Sequence, residues 1–193
     1  MDKFFGNLHA VLGAGLVLAI ILMLGLNGSS FDSGVAAANA VMRWLHTFFG
    51  VLWIGLLYYF NFVQIPTMPK IPAELKPAVG KHIAPAALFW FRWAALITVL
   101  LGVAIAGHMK YLVPALSLAD PDFRLIGAGM WLGLIMAFNV WFVIWPNQKK
   151  ALGIVEADDA TKAASAKTAM IFSRTNTLLS IPMLYAMVNA NLG

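Results

Sequence analysis

WIGLLYYFNF, residues 53–62, and WLGLIMAFNV, residues 131–140, set out one pattern twice: a Trp, a Gly two positions on, and a Phe-Asn pair further along. Each copy lies in an apolar run long enough for a helix to span a bilayer, roughly 20 residues. An asparagine in such surroundings is costly unless it is hydrogen-bonded. The fold and the candidate site both turn on what Asn61 and Asn139 are doing there.

Outward from these copies the chain divides into five apolar segments, at about 5–26, 38–65, 84–107, 123–146 and 168–190. Backbone groups in lipid must be satisfied internally, so uninterrupted runs of this length read as helices. The expected fold is therefore all-α: a polytopic integral membrane bundle of five transmembrane helices, forming a single transmembrane domain over residues 1–193. The shared motif makes helices 2–3 and 4–5 two related hairpins, with helix 1 added. Pro66 and Pro146, just past each copy, are expected to end their helices. Gly129 and Gly133 read as a small-xxx-small pair for close helix contact.

Composition agrees. Hydrophobic residues make up 61% and charged residues 11% of the 193, against roughly 25% charged in soluble domains. The net charge of +5 follows from lysines on connecting loops and implies no nucleic-acid partner. The absence of cysteine excludes covalently attached haem c, a cysteine-ligated iron–sulfur cluster, a disulfide and a thiolate nucleophile. Walker, H-E-x-x-H and nucleophile-elbow motifs are also missing. Lys70, Lys76, Lys81, Lys149, Lys150, Lys162 and Lys167 fall on two alternate connections. The positive-inside rule then places the N-terminus in the cytoplasm and the C-terminus outside.

In that frame Asn61, Gln64, Arg92, Asn139, Arg174 and Asn176 all fall in the cytoplasmic half of the bilayer. One such residue alone reads as a snorkelling or helix-pairing group. The set together reads as a ligand-binding cavity open to the cytoplasm, suited to a flat, anionic, hydrogen-bonding molecule. No catalytic residue is assigned. His46 and His108 share the outer side and His9 and His82 the inner, which is the placement a b-type haem would use; His46 and His108 are the candidates as metal ligands.

Four stretches, HTFFGVLWIGLLYYFNFVQIP (46–66), KHIAPAALFWFRWAA (81–95), WLGLIMAFNVWFVIWPNQKK (131–150) and SRTNTLLSIPMLYAM (173–187), resemble the membrane domain of the bacterial membrane-bound, cytochrome c-linked urate hydroxylases. In that family a longer membrane domain precedes a c-type cytochrome domain. This sequence stops after its fifth helix and has no C-x-x-C-H, so it resembles a short form lacking that domain. The resemblance implies a bacterial inner-membrane redox subunit that acts on urate with a separate cytochrome c or other membrane subunits. The alternatives are a non-catalytic assembly subunit of a larger membrane complex, or a b-type haem anchor.

Overall fold

The computed structural model describes residues 2–26, 28 and 34–190, and every regular element among them is helical. Residues 1–41 and 42–193 form two compact units.

The first unit contains a short turn, Asp2–Phe5, and helix α1, Leu8–Leu26. Asn7 caps α1, its Oδ1 accepting from the backbone N–H groups of His9 (3.0 Å) and Ala10 (3.3 Å), and so satisfies donors that a helix start leaves free. No residue of α1 is buried. A helix that is apolar on every face needs an apolar solvent around it.

Four further long helices follow: α2 (Gly34–Lys70), α3 (Lys76–His108), α5 (Pro121–Ala151) and α6 (Asp159–Asn189), with a short α4 (Leu112–Ser117) between α3 and α5. Among the described residues α1, α2, α3 and α5 are long and apolar enough to cross a membrane. The fifth expected span lies within α6, which does not reach that hydropathy. Its buried face is part of the reason: Ser165, Ala169, Ser173, Asn176, Ser180, Met183 and Ala186 recur at spacings of three and four. Part of the polarity that lowers its hydropathy, Ser165, Ser173, Asn176 and Ser180, is buried, and part, including Arg174, is exposed.

The prolines do not end their helices. Pro66, Pro85 and Pro146 each sit two residues beyond a π-helical turn, at Tyr59–Gln64, Val79–Ile83 and Asn139–Ile144. In each case the residue before the proline donates five positions back: Ile65 to the Phe60 carbonyl, Ala84 to Val79, Trp145 to Val140. A proline ring in a regular α-helix collides with the carbonyl four positions earlier. A widened turn moves that carbonyl aside and lets the helix continue, here to Lys70 and Ala151. Each of these turns precedes a proline, whereas Pro182 inside α6 is accommodated without one. Counted from the motif Trp, the turn in the second copy begins two residues later than that in the first.

The core of the second unit is built from Trp53, Leu57 and Phe60 of α2, Leu88, Phe91 and Ala95 of α3, Met136 and Val140 of α5, and Met183 of α6. Phe60 and Phe91 meet edge to face at 5.6 Å. At the opposite end α4 lies tightly on the start of α5. A Cβ on Gly127 would stand 2.0 Å from the Ala115 carbonyl oxygen, so only glycine fits there. Gly129 is also a contact, since its Cβ would come 3.0 Å from that of Ala186 on α6. Gly133 is not, because nothing lies within 4 Å of its Cβ position. The expected small-residue pair therefore splits into one packing glycine and one that faces open space.

Candidate functional site

A cavity of about 410 Å³ opens among α2, α3, α5 and α6, within the size range of ligand pockets. His46 and Tyr58 line it from α2, and Trp53 and Gly55 of the first motif copy lie between them. Gly133 of the second copy lines it from α5. Neither Gly55 nor Gly133 has any heavy atom within 4 Å of its Cβ position. The W-x-G element of both copies therefore leaves room for one shared space, and larger side chains at those two positions would occupy it.

His46 is fixed in orientation. Its Nδ1 lies 2.9 Å from the Thr98 carbonyl oxygen on α3; a carbonyl only accepts, so Nδ1 carries the proton. The Thr98 hydroxyl is itself bonded to the Ala94 carbonyl at 2.7 Å. The imidazole edge rests on Gly102, where a Cβ would come 3.0 Å from His46 Cε1. In the neutral ring Nε2 then holds the lone pair, and it has no hydrogen-bond partner among the described residues. At the other end of the α2 stretch, the Tyr58 hydroxyl pairs with Ser180 Oγ at 3.0 Å, and Ser180 donates to the Thr177 carbonyl at 2.7 Å.

The six residues expected to bind ligand do not line this cavity. Three of them, Asn61, Asn139 and Asn176, form a seam along α6. Asn139 (6% exposed) donates from Nδ2 to Asn176 Oδ1 at 2.9 Å; Asn176 (0%) in turn donates to the Met136 carbonyl at 2.9 Å. Asn61 donates to the Leu57 carbonyl (2.9 Å) and to Ser173 Oγ (2.8 Å). Two acceptors, Asn61 Oδ1 and Gln64 Oε1, are buried with no partner. The Arg92 guanidinium lies 3.9 Å above the Trp145 ring and 5.4 Å from Phe89, a cation–π arrangement. Its backbone carbonyl accepts from Trp141 Nε1 at 3.0 Å, and none of its own N–H donors has a partner among the described residues. Arg174 is exposed, on a different face of α6 from Ser173 and Asn176. The structure thus brings Asn61, Asn139 and Asn176 onto one seam and leaves Arg174 apart from it.

His108 ends α3 and is exposed, as are His9 and His82. Of the four histidines only His46 lines the cavity. Sequence reading missed the cavity roles of Gly55, Gly133, Gly102 and Thr98. The repeated W-x-G was the available signal, and it reads equally well as packing.

Residues 122–193 match the family model described as urate oxidase N-terminal. That stretch contains α5 but for its first residue, the second motif copy and all of α6, including the Asn139–Asn176 pair. It supports a relationship to a urate oxidase-related family. No curated protein and no solved structure matches the chain.

Proposed function

We propose that this chain is a membrane-embedded redox subunit of a urate oxidase-like system, crossing a bacterial inner membrane five times with its N-terminus in the cytoplasm and its C-terminus outside. The substrate is a flat purine anion of the urate class, taken from the cytoplasmic side, and electrons pass to a separate cytochrome or partner subunit.

One observation carries this reading. Arg92 holds guanidinium donors without partners, and Asn61 and Gln64 hold buried acceptors without partners. Their chain neighbours Phe60 and Phe91 are in ring contact at 5.6 Å, which supports reading the two sets as parts of one region. Urate is flat, anionic and edged with alternating carbonyl and N–H groups, so it offers the complement of both sets. Unpaired buried amide oxygens are uncommon, and their cost of about 1–3 kcal/mol each would be relieved by a bound N–H donor.

The test is urate binding to the detergent-purified chain, followed by turnover with an added cytochrome c. Saturable binding that falls at least tenfold in Arg92→Gln supports the reading. Identical behaviour of Arg92→Gln and the unaltered chain, or no binding at all, contradicts it. A second reading, a non-catalytic assembly subunit, is favoured by the Asn139–Asn176 pair, whose two amides are bonded to each other rather than left open for a ligand. In that case Arg92→Gln lowers recovery of the assembled complex and changes no reaction selectively.

A further inference from the structure

The geometry points to the cavity beside His46 as a haem site: an iron protoporphyrin held non-covalently, with His46 Nε2 as the axial ligand supplied by this chain. This does not depend on urate as substrate. A chain that takes up haem and ignores urate keeps this inference and loses the previous one.

Four features of the cavity converge. First, a histidine that binds a metal through Nε2 ordinarily donates Nδ1–H to a backbone carbonyl or carboxylate, which fixes both tautomer and ring plane. His46 does so to Thr98 at 2.9 Å, and Gly102 gives the ring edge the space to stay in that orientation. Second, glycines line the cavity from three helices: Gly50 and Gly55 on α2, Gly102 on α3 and Gly133 on α5. Glycine is the residue that allows backbone to approach a ligand closely, and a broad flat macrocycle needs that approach on several sides.

Third, the remaining walls are almost wholly apolar and include Met130 of α5 and Met183 and Met187 of α6. Thioether sulfur is a familiar second axial ligand to haem iron opposite a histidine. The one phenol on the walls, Tyr58, is already committed to Ser180. Fourth, Arg43 lies three residues before His46, hence on a neighbouring part of the same helix face. It lies outside the cavity walls, is exposed and has no ion pair among the described residues, so it is available as a counter-charge for a propionate that emerges from the cavity. His108, expected as a partner of His46, does not line the cavity, so the iron is not held by that pair. With no cysteine in the chain, the macrocycle is not attached through thioether bonds and the centre is of the b type.

The experiment uses the full chain, expressed in haem-replete cells, purified in mild detergent and also titrated with hemin. A pyridine haemochrome assay gives haem per chain, and a reduced-minus-oxidised spectrum gives its type. About one b-type haem per chain is expected, with at least a tenfold loss in His46→Ala and no loss in His108→Ala. Gly133→Leu, which fills the cavity from the opposite helix, should lose the haem while keeping native helical circular dichroism. It decides the matter should His46→Ala fail to accumulate. No hemin uptake at severalfold excess, or full haem content in His46→Ala or in Gly133→Leu, overturns the inference.

Discussion

The two copies of the repeat face the same cavity and are anchored in different ways. Trp53 is 2% exposed and its buried Nε1 has no partner, whereas Trp131 is 44% exposed and donates to the Leu116 carbonyl at 2.9 Å. Asn61 reaches α6 with one amide hydrogen bond and leaves its oxygen unpaired; Asn139 and Asn176 are locked as a buried pair. The glycines alone behave alike, both opening on the same space. The repeat therefore carries over the shape of the cavity wall, while the surrounding polar contacts are specific to each copy. The second copy is a scaffold, tied down by α4 and α6. The first retains buried polar atoms whose needs the chain does not meet.

Substitutions can break this contrast, and the largest effect is expected where the second copy is anchored. Gly127→Ala drives a Cβ into the Ala115 carbonyl. Neither backbone can move without separating α4 from α5, so a loss of about 3 kcal/mol or more is expected, at the upper end for overpacking. Thermal unfolding in detergent would show it as a large fall in Tm. Gly133→Ala, six residues along the same helix, should leave Tm nearly unchanged.

The asparagines come next. Asn139→Leu strands the Asn176 oxygen in a fully buried site, at a cost of about 2 kcal/mol. Asn61→Leu loses the bond to Ser173 and the local one to the Leu57 carbonyl but also removes an unpaired oxygen, and about 0.5 kcal/mol is expected, near the average for hydrogen bonds between membrane helices. Denaturant titration of the two variants side by side should rank them in that order. The tryptophans should differ by less. Trp131→Phe forfeits a single hydrogen bond, about 0.5–1 kcal/mol, while Trp53→Phe removes an unsatisfied donor and should be close to neutral.

The smallest expected effect lies outside both copies. Asp158 caps α6 by accepting from the Thr161 N–H at 2.6 Å. This backbone bond, then the Thr161 side chain and Lys162, hold its carboxyl below the ordinary range. The folded pKa is depressed, so the cap contributes fully above the ordinary carboxylate pKa and is lost as pH falls through the lowered value. Protection factors of the amides in the first turn of α6, that is exchange corrected for its intrinsic pH dependence, should fall on acidification in the parent chain and be already low and nearly independent of pH in Asp158→Ala.

Much of the architecture was legible in the sequence because length and apolarity alone decide which segments can cross a bilayer. The hidden part was orientation about each helix axis. Arg174 and Asn176 are two residues apart and share a depth that assigns both to one cavity, yet a helix turns about 100° per residue, so one is exposed and the other lies in the core. Pro66 and Pro146 looked like helix ends because π-helical turns carry no marker of their own in composition. Gly129 and Gly133 looked equivalent, and only the position of α6 distinguishes the packed glycine from the open one.

The claim that the repeated glycines open on a common cavity can be tested directly, since the chain has no cysteine to compete. Gly55→Cys, Gly133→Cys and Gly129→Cys would each be treated in membranes with a small, membrane-permeant thiol reagent, and the labelled fraction read by mass spectrometry. Labelling of Gly55→Cys and Gly133→Cys is expected, with Gly129→Cys inert because α6 covers it. Inert Gly133→Cys beside reactive Gly129→Cys would contradict the shared cavity.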